Sequence, residues 1–331
     1  MHIIQNTSGK RNAVFLYLSV RESSFTNKPL RGIIPPMVTP LLENGNLDVI
    51  GLTTLVNYLL EAGVHGLFLL GTTGEGPSLN AELKKQLVTQ VCRIVKKKVP
   101  VLVCITDTSL EDSVRLADHA KSAGADFLVV APPYYFPISQ KEMQEYLVQL
   151  APKMTLPFLM YNMPSCTKMH LSIRTLKKAK ELGAIGIKDS SGNQNYLFSL
   201  IETFKNDPLF SVITGNEAFL PELIKRGGHG TVAGGANFFP KLFVALYDAC
   251  IENDTEAITE HLAWVNWVSD TIYDVGKQES KYIKGTKSSL SLMGICQDYA
   301  KSPIGRFTEK ERAKVAAYLA HFPYEKVYFR L

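Results

Sequence analysis

The side chains with most chemical promise stand where short apolar runs give way to polar residues. Lys188 follows Gly183-Ala184-Ile185-Gly186-Ile187. An ammonium held in a partly dry space loses preference for its charged form, because burial penalises charge. The neutral amine can then attack a ketone and form an imine. By position alone a strand-end lysine more often reaches solvent, so its neighbours decide. Tyr161 closes the preceding apolar run, 157–161. Adjacent parallel strands start their loops side by side, which would set this phenol next to Lys188 as a proton carrier; taken alone it reads equally well as a rim aromatic. Gly71-Thr72-Thr73-Gly74-Glu75 offers amides, two hydroxyls and glycines that allow close approach, a cradle suited to a carboxylate. The plainer alternative is a tight turn with Thr72 and Glu75 in capping-box spacing. Gly227-Gly228-His229-Gly230 and Gly234-Gly235 could instead cradle a phosphate.

Such groups need elements that aim them at one place. Short apolar runs at 33–38, 66–70, 101–105, 127–130, 157–161, 184–187, 211–214 and 230–233 fit strands buried on both faces of a parallel sheet. Between them lie amphipathic stretches with N-cap and C-terminal glycine signals. Asp48 opens a helix to Glu61 before Gly63, Asn80 one over 81–97, and Ser109 one over 110–122 before Gly124. Ser139 opens 140–150, and Ser172 opens 173–182 before Gly183. Eight strands alternating with helices predict an α/β fold of the (β/α)8 TIM-barrel class, over 31–239, with sites at the C-terminal ends of the strands. No glycine-rich dinucleotide fingerprint follows the first strand. Residues 240–331 read as a C-terminal helical appendage.

Composition narrows the rest. Of 331 residues, 46% are hydrophobic and 20% charged, which excludes wholesale disorder and collagen-like repeats. The formal charge of +5 is uneven, since residues 1–31 carry Lys10, Arg11, Arg21, Lys28 and Arg31 against Glu22 alone. The remainder is close to neutral, so a nucleic-acid partner is not expected. No apolar run is long enough to span a bilayer, so no membrane partner is expected either. Five scattered cysteines without C-x-x-C spacing argue against disulfides and zinc and for a reducing, cytoplasmic setting. Seven histidines lack metal-ligand spacing, so no metal is expected. Residues 13–20 superficially resemble the apolar part of a secretory signal, but Arg21-Glu22 stand where small residues would be needed. Residues 1–30 are therefore expected to be a disordered extension.

GTTGE, PYY, YNMP and GIKDSSG, in this order and spacing from about Arg31 onward, resemble the dihydrodipicolinate synthase / N-acetylneuraminate lyase family. The resemblance implies a class I, Schiff-base barrel acting on pyruvate or 2-oxo acids without a cofactor. It implies catalytic roles for Lys188 as imine former, Tyr161 as proton-transfer phenol, and Thr72 and Tyr135 as members of a hydroxyl relay. Tyr135 would be shared between neighbouring subunits, making a homodimer or homotetramer. Thr72, Thr73, Gly74 and Gly234 would hold the pyruvate, with Cys166, Ser190 and Asn237 near the specificity-determining loops. One departure stands out. Dihydrodipicolinate synthases continue the YNxP motif with an arginine that binds their aldehyde partner's carboxylate, and here Cys166 stands there; a thiol makes no bidentate ionic contact. Ala81 also stands near where lysine-inhibited members carry a histidine, so lysine feedback is not expected. The expected activity is cleavage or formation of a 2-keto-3-deoxy sugar acid, with dihydrodipicolinate synthase and N-acetylneuraminate lyase as alternatives. A 2-keto-3-deoxy acid dehydratase and a non-catalytic 2-oxo-acid-binding barrel stand further off.

Overall fold

The computed structural model describes residues 25 and 27–323. Most of the 1–30 extension therefore lies outside the described residues. Leu30 at its end is buried and packs into the core.

The β-strands are β1 (Gly32–Ile33), β2 (Leu67–Leu69), β3 (Val101–Cys104), β4 (Phe127–Val130), β5 (Phe158–Asn162), β6 (Ala184–Asp189), β7 (Ser211–Thr214) and β8 (Gly230–Thr231). They form one parallel sheet in the order β1-β8-β7-β6-β5-β4-β3-β2. A parallel bridge from Pro36 to Phe68 joins its two ends, and this makes the sheet a barrel. The first strand is shorter than the apolar run 33–38, because Pro35 and Pro36 have no N–H to donate to a ladder. The sixth is longer than expected and carries Lys188 and Asp189 inside its paired length.

Capping side chains start the helices where the sequence places them. Helices α1 (Val49–Glu61), α2 (Ala81–Val95), α3 (Leu110–Ala123) and α4 (Gln140–Leu150) begin after Asp48, Asn80, Ser109 and Ser139, each of which accepts a first-turn N–H. A one-turn helix, α5 (Pro164–Thr167), follows β5, and α6 (Ile173–Glu181) and α7 (Gln194–Phe204) flank β6. Helix α2 stops two residues before the expected Lys97. Lys96 and Lys97 turn left-handed, and Lys97 reaches the buried Asp126 carboxylate at 2.7 Å.

Helix α8 (Leu220–Lys225) joins β7 to β8, and after β8 come α9 (Pro240–Glu252), α10 (Thr255–Asp270), α11 (Lys281–Leu292) and α12 (Glu309–His321). Helix α9 packs on β1 and α8. The expected division at residue 239 therefore cuts through the eighth strand-helix unit, and the helices added to the barrel begin with α10. Of the glycines that could cradle a phosphate, Gly230 serves barrel closure and Gly228 makes room for α8. A Cβ on Gly230 would stand 2.1 Å from the Gly32 carbonyl oxygen, and one on Gly228 would stand 2.4 Å from Leu223. Among the described residues no helix is long and apolar enough to cross a membrane.

Candidate active site

At the C-terminal mouth of the barrel lies a cavity of about 390 Å³, lined by Lys188, Tyr161, Thr72, Thr73, Ser190 and Gly234 among others. Parallel pairing brings the first two together, since Tyr161 of β5 stands in register with Lys188 of β6. Lys188 is only 7% exposed. Its Nζ lies 4.1 Å from the centre of the Tyr161 ring and 4.8 Å from that of Phe68. Burial among these rings pushes the amine down to about 7, against the opposing pull of the Cys104 and Cys166 thiols. A large share of the side chain is therefore uncharged, and nucleophilic, at neutral pH.

The Tyr161 hydroxyl lies 3.4 Å from Thr72 Oγ1 and also hydrogen-bonds the Ser190 side chain. Burial holds its phenol well above the ordinary value, so it keeps its proton until a stronger base forms beside it. Thr73 Oγ1 lies 3.0 Å from the Tyr282 hydroxyl, which comes from α11. Gly234 closes the far side, where a Cβ would stand 1.8 Å from that same hydroxyl; only a glycine lets helix and loop approach so closely.

Other expected site residues have different surroundings. Asn237 is fully buried and does not line the cavity; it accepts from Val38 N–H and donates to the carbonyls of Pro36 and Gly234. It braces the chain behind the cavity wall. Gly74 also stays out of the lining. Its carbonyl accepts from Thr39 Oγ1 at 2.7 Å, and a Cβ there would stand 2.8 Å from the Met37 carbonyl oxygen. Cys166 is exposed on α5, outside the lining. Tyr135 is 67% exposed, stands edge-on to Phe136 and does not line the cavity. The capping-box alternative for Thr72 and Glu75 also fails. Glu75 turns away from the loop, pairs with Lys287 and accepts the Lys301 N–H.

The cavity has a second wall that no sequence motif marks. Asn266 and Ser269 of α10, Tyr273 just beyond it and Tyr282 of α11 all line the cavity, as does Glu217 after β7. Glu217 Oε1 accepts the Gly235 N–H at 2.8 Å and the Tyr273 hydroxyl at 3.0 Å. Burial raises its carboxyl to about 7, against the pull of those hydrogen bonds. Glu217 was within reach, being next to Asn216 at a recognised strand end. The helix-borne residues carried no such mark.

Comparison with known proteins places this geometry. The model of the dihydrodipicolinate synthetase family matches residues 29–322. The chain is 32% identical, over 87% of its length and 96% of the relative's, to the "Probable 2-dehydro-3-deoxy-D-pentonate aldolase YjhH" of Escherichia coli K12. Its structure superposes with a TM-score of 0.86 on dihydrodipicolinate synthase from Bacteroides thetaiotaomicron, at 46% identity, covering 89% of this chain and 100% of that one. YagE, an E. coli K12 prophage protein of the dihydrodipicolinic acid synthase family crystallised with pyruvate, gives a TM-score of 0.83 at 30% identity over 90% and 98% of the two chains. The chain thus belongs to the dihydrodipicolinate synthetase family and is an enzyme of its class I lyase and aldolase type.

Proposed function

We propose that this enzyme cleaves a 2-keto-3-deoxy sugar acid to pyruvate and an aldehyde through an imine on Lys188. The neutral Lys188 amine adds to the keto carbon, water leaves, and a protonated imine results. As that water leaves, Tyr161 gives it its phenol proton, and the phenolate, held by the Thr72 and Ser190 hydroxyls, then takes the proton of the hydroxyl two carbons away. The carbon–carbon bond then breaks, its electrons pass into the imine to give an enamine, and the aldehyde departs. Protonation of the enamine carbon and hydrolysis release pyruvate and restore the lysine. The Thr72 and Thr73 hydroxyls and their amides hold the carboxylate.

The observation that carries the choice of substrate is the charge of the cavity. Among the described residues lining it, Lys188 is the only basic side chain, and the rest of the polar lining is Tyr161, Asn216, Ser190, Asn266, Ser269, Tyr273, Tyr282, the threonines and Glu217. A second carboxylate would be desolvated there without a partner; a chain of hydroxyls finds donors and acceptors throughout. The relative YjhH, whose name is that of a 2-dehydro-3-deoxy-D-pentonate aldolase, supports the same reading.

The 46% identity to the Bacteroides thetaiotaomicron synthase favours a second reading, condensation of pyruvate with aspartate semialdehyde. Pyruvate release from a panel of 2-keto-3-deoxy acids and sialic acid, beside pyruvate consumption with aspartate semialdehyde, separates the two. Turnover of aspartate semialdehyde alone would overturn the sugar-acid reading. The exposed Tyr135 and Phe136 pair supports assembly as a homodimer or homotetramer, checked by light scattering.

A further inference from the structure

The loop that carries Thr72 and Thr73 is strained at both ends. Leu70 has φ 62° and Glu75 has φ 57°, left-handed conformations that cost a residue with a Cβ and persist only where the surroundings enforce them. At Glu75 the C-terminal region supplies that enforcement. Glu75 and Lys287 of α11 form an ion pair whose side chains are 0% and 1% exposed. The second Glu75 oxygen accepts the Lys301 N–H at 2.7 Å, and Lys287 also donates to the Tyr299 carbonyl at 2.5 Å. One turn and a half earlier on the same helix, Tyr282 meets Thr73. Helix α11 therefore grips this loop at two points, one beside the carboxylate cradle and one just past it.

We infer that Glu75 and Lys287 are positioning residues: their buried pair lets α11 hold Thr72 and Thr73 in the geometry that binds the carboxylate of a 2-oxo acid. This rests on the proposed role of Lys188 and of the threonine loop. Neither Glu75 nor Lys287 lines the cavity, so their effect reaches the substrate only through the loop. Burial without water makes the pair strong while intact and costly to break from one side, whereas two neutral groups of similar volume restore packing without the grip.

The test measures trapping of pyruvate on Lys188 by borohydride, read by intact-protein mass spectrometry across pyruvate concentrations. In the double variant Glu75→Gln/Lys287→Met, the introduced amide oxygen still accepts the Lys301 N–H and no buried charge is left unpaired. Its half-trapping concentration is expected to rise tenfold or more, while saturating pyruvate still labels Lys188 fully. Glu75→Asp, the milder change because it keeps both charges and only shortens the reach to α11, is expected to shift the same concentration about threefold and decides the matter should the double variant fail to fold. Values within twofold of wild type, in whichever variant folds, overturn the inference. So does a loss of full trapping at saturation, which would mean general damage instead of lost positioning. Wild-type protein that never traps pyruvate overturns the Lys188 reading itself, and the inference with it.

Discussion

The two walls of the cavity are built on different principles. The wall with Lys188 and Tyr161 is made of strand ends, where parallel pairing fixes each side chain against its neighbour and burial sets its protonation. The opposite wall comes from α10 and α11, helices laid over the barrel mouth, and presents Asn266, Ser269, Tyr273 and Tyr282. Strand ends give a rigid address for a reaction. Helix faces give exchangeable polar groups at a distance from it. Under the proposed function the contrast separates a chemistry wall from a recognition wall, and substitutions on each should fail in different ways.

The largest effects belong to the chemistry wall. Lys188→Ala should abolish borohydride trapping of pyruvate and lower kcat on the order of 10⁴-fold or more, since no other amine lines the cavity among the described residues. A variant that binds 2-oxo acids but does no chemistry fits this proposal; a variant that keeps turnover breaks it. Tyr161→Phe comes next. It retains the ring over Lys188 but loses the hydroxyl shared with Thr72 and Ser190, so kcat should fall about 10³-fold. Trapping of pyruvate should persist at a reduced rate, and an unchanged kcat would remove Tyr161 from proton transfer.

These two residues were legible in the sequence because strand order and strand period are local signals. Once 157–161 and 184–187 are read as neighbouring parallel strands, adjacency of Tyr161 and Lys188 follows. The recognition wall was not legible. Asn266 and Ser269 look like ordinary exposed positions of an amphipathic helix, and only the packing of α10 over the mouth gives them a site to face. Asn237 and Gly74 show the reverse. A small polar residue or a glycine beside a strand end suggests a ligand, yet both are used by the backbone around them. Glu75 shows the same limit at longer range, for its partner Lys287 stands more than two hundred positions away and no periodicity links them.

Exchange of Asn266 and Ser269 for alanine tests the recognition wall directly. The double variant should raise KM for the 2-keto-3-deoxy acid about tenfold, the loss expected of one or two hydrogen bonds to substrate. Pyruvate trapping on Lys188 should stay as in wild type, because pyruvate lacks the hydroxyl chain that these side chains are proposed to bind. An equal loss in both assays would mean that the two walls are not separable.

The smallest effect concerns Glu217, which stands between the walls. Its carboxyl is raised from 4.5 to about 7 by burial, so the folded protein holds a proton that the unfolded chain has already released. The resulting stability is fully present below pH 4.5 and is lost as pH rises through 7. Because its hydrogen bonds to Gly235 and Tyr273 oppose the shift, and because it faces an open cavity, the contribution is about 1 kcal/mol. Glu217→Gln should therefore remove part of the decline in urea-measured stability between pH 4.5 and 7, leaving a flatter profile than wild type. A variant profile parallel to that of wild type would place the titrating group elsewhere. Should the profile flatten while KM for the sugar acid also changes, Glu217 belongs with Asn266 and Ser269 on the recognition wall; a change in pyruvate trapping instead would move it to the side of Lys188.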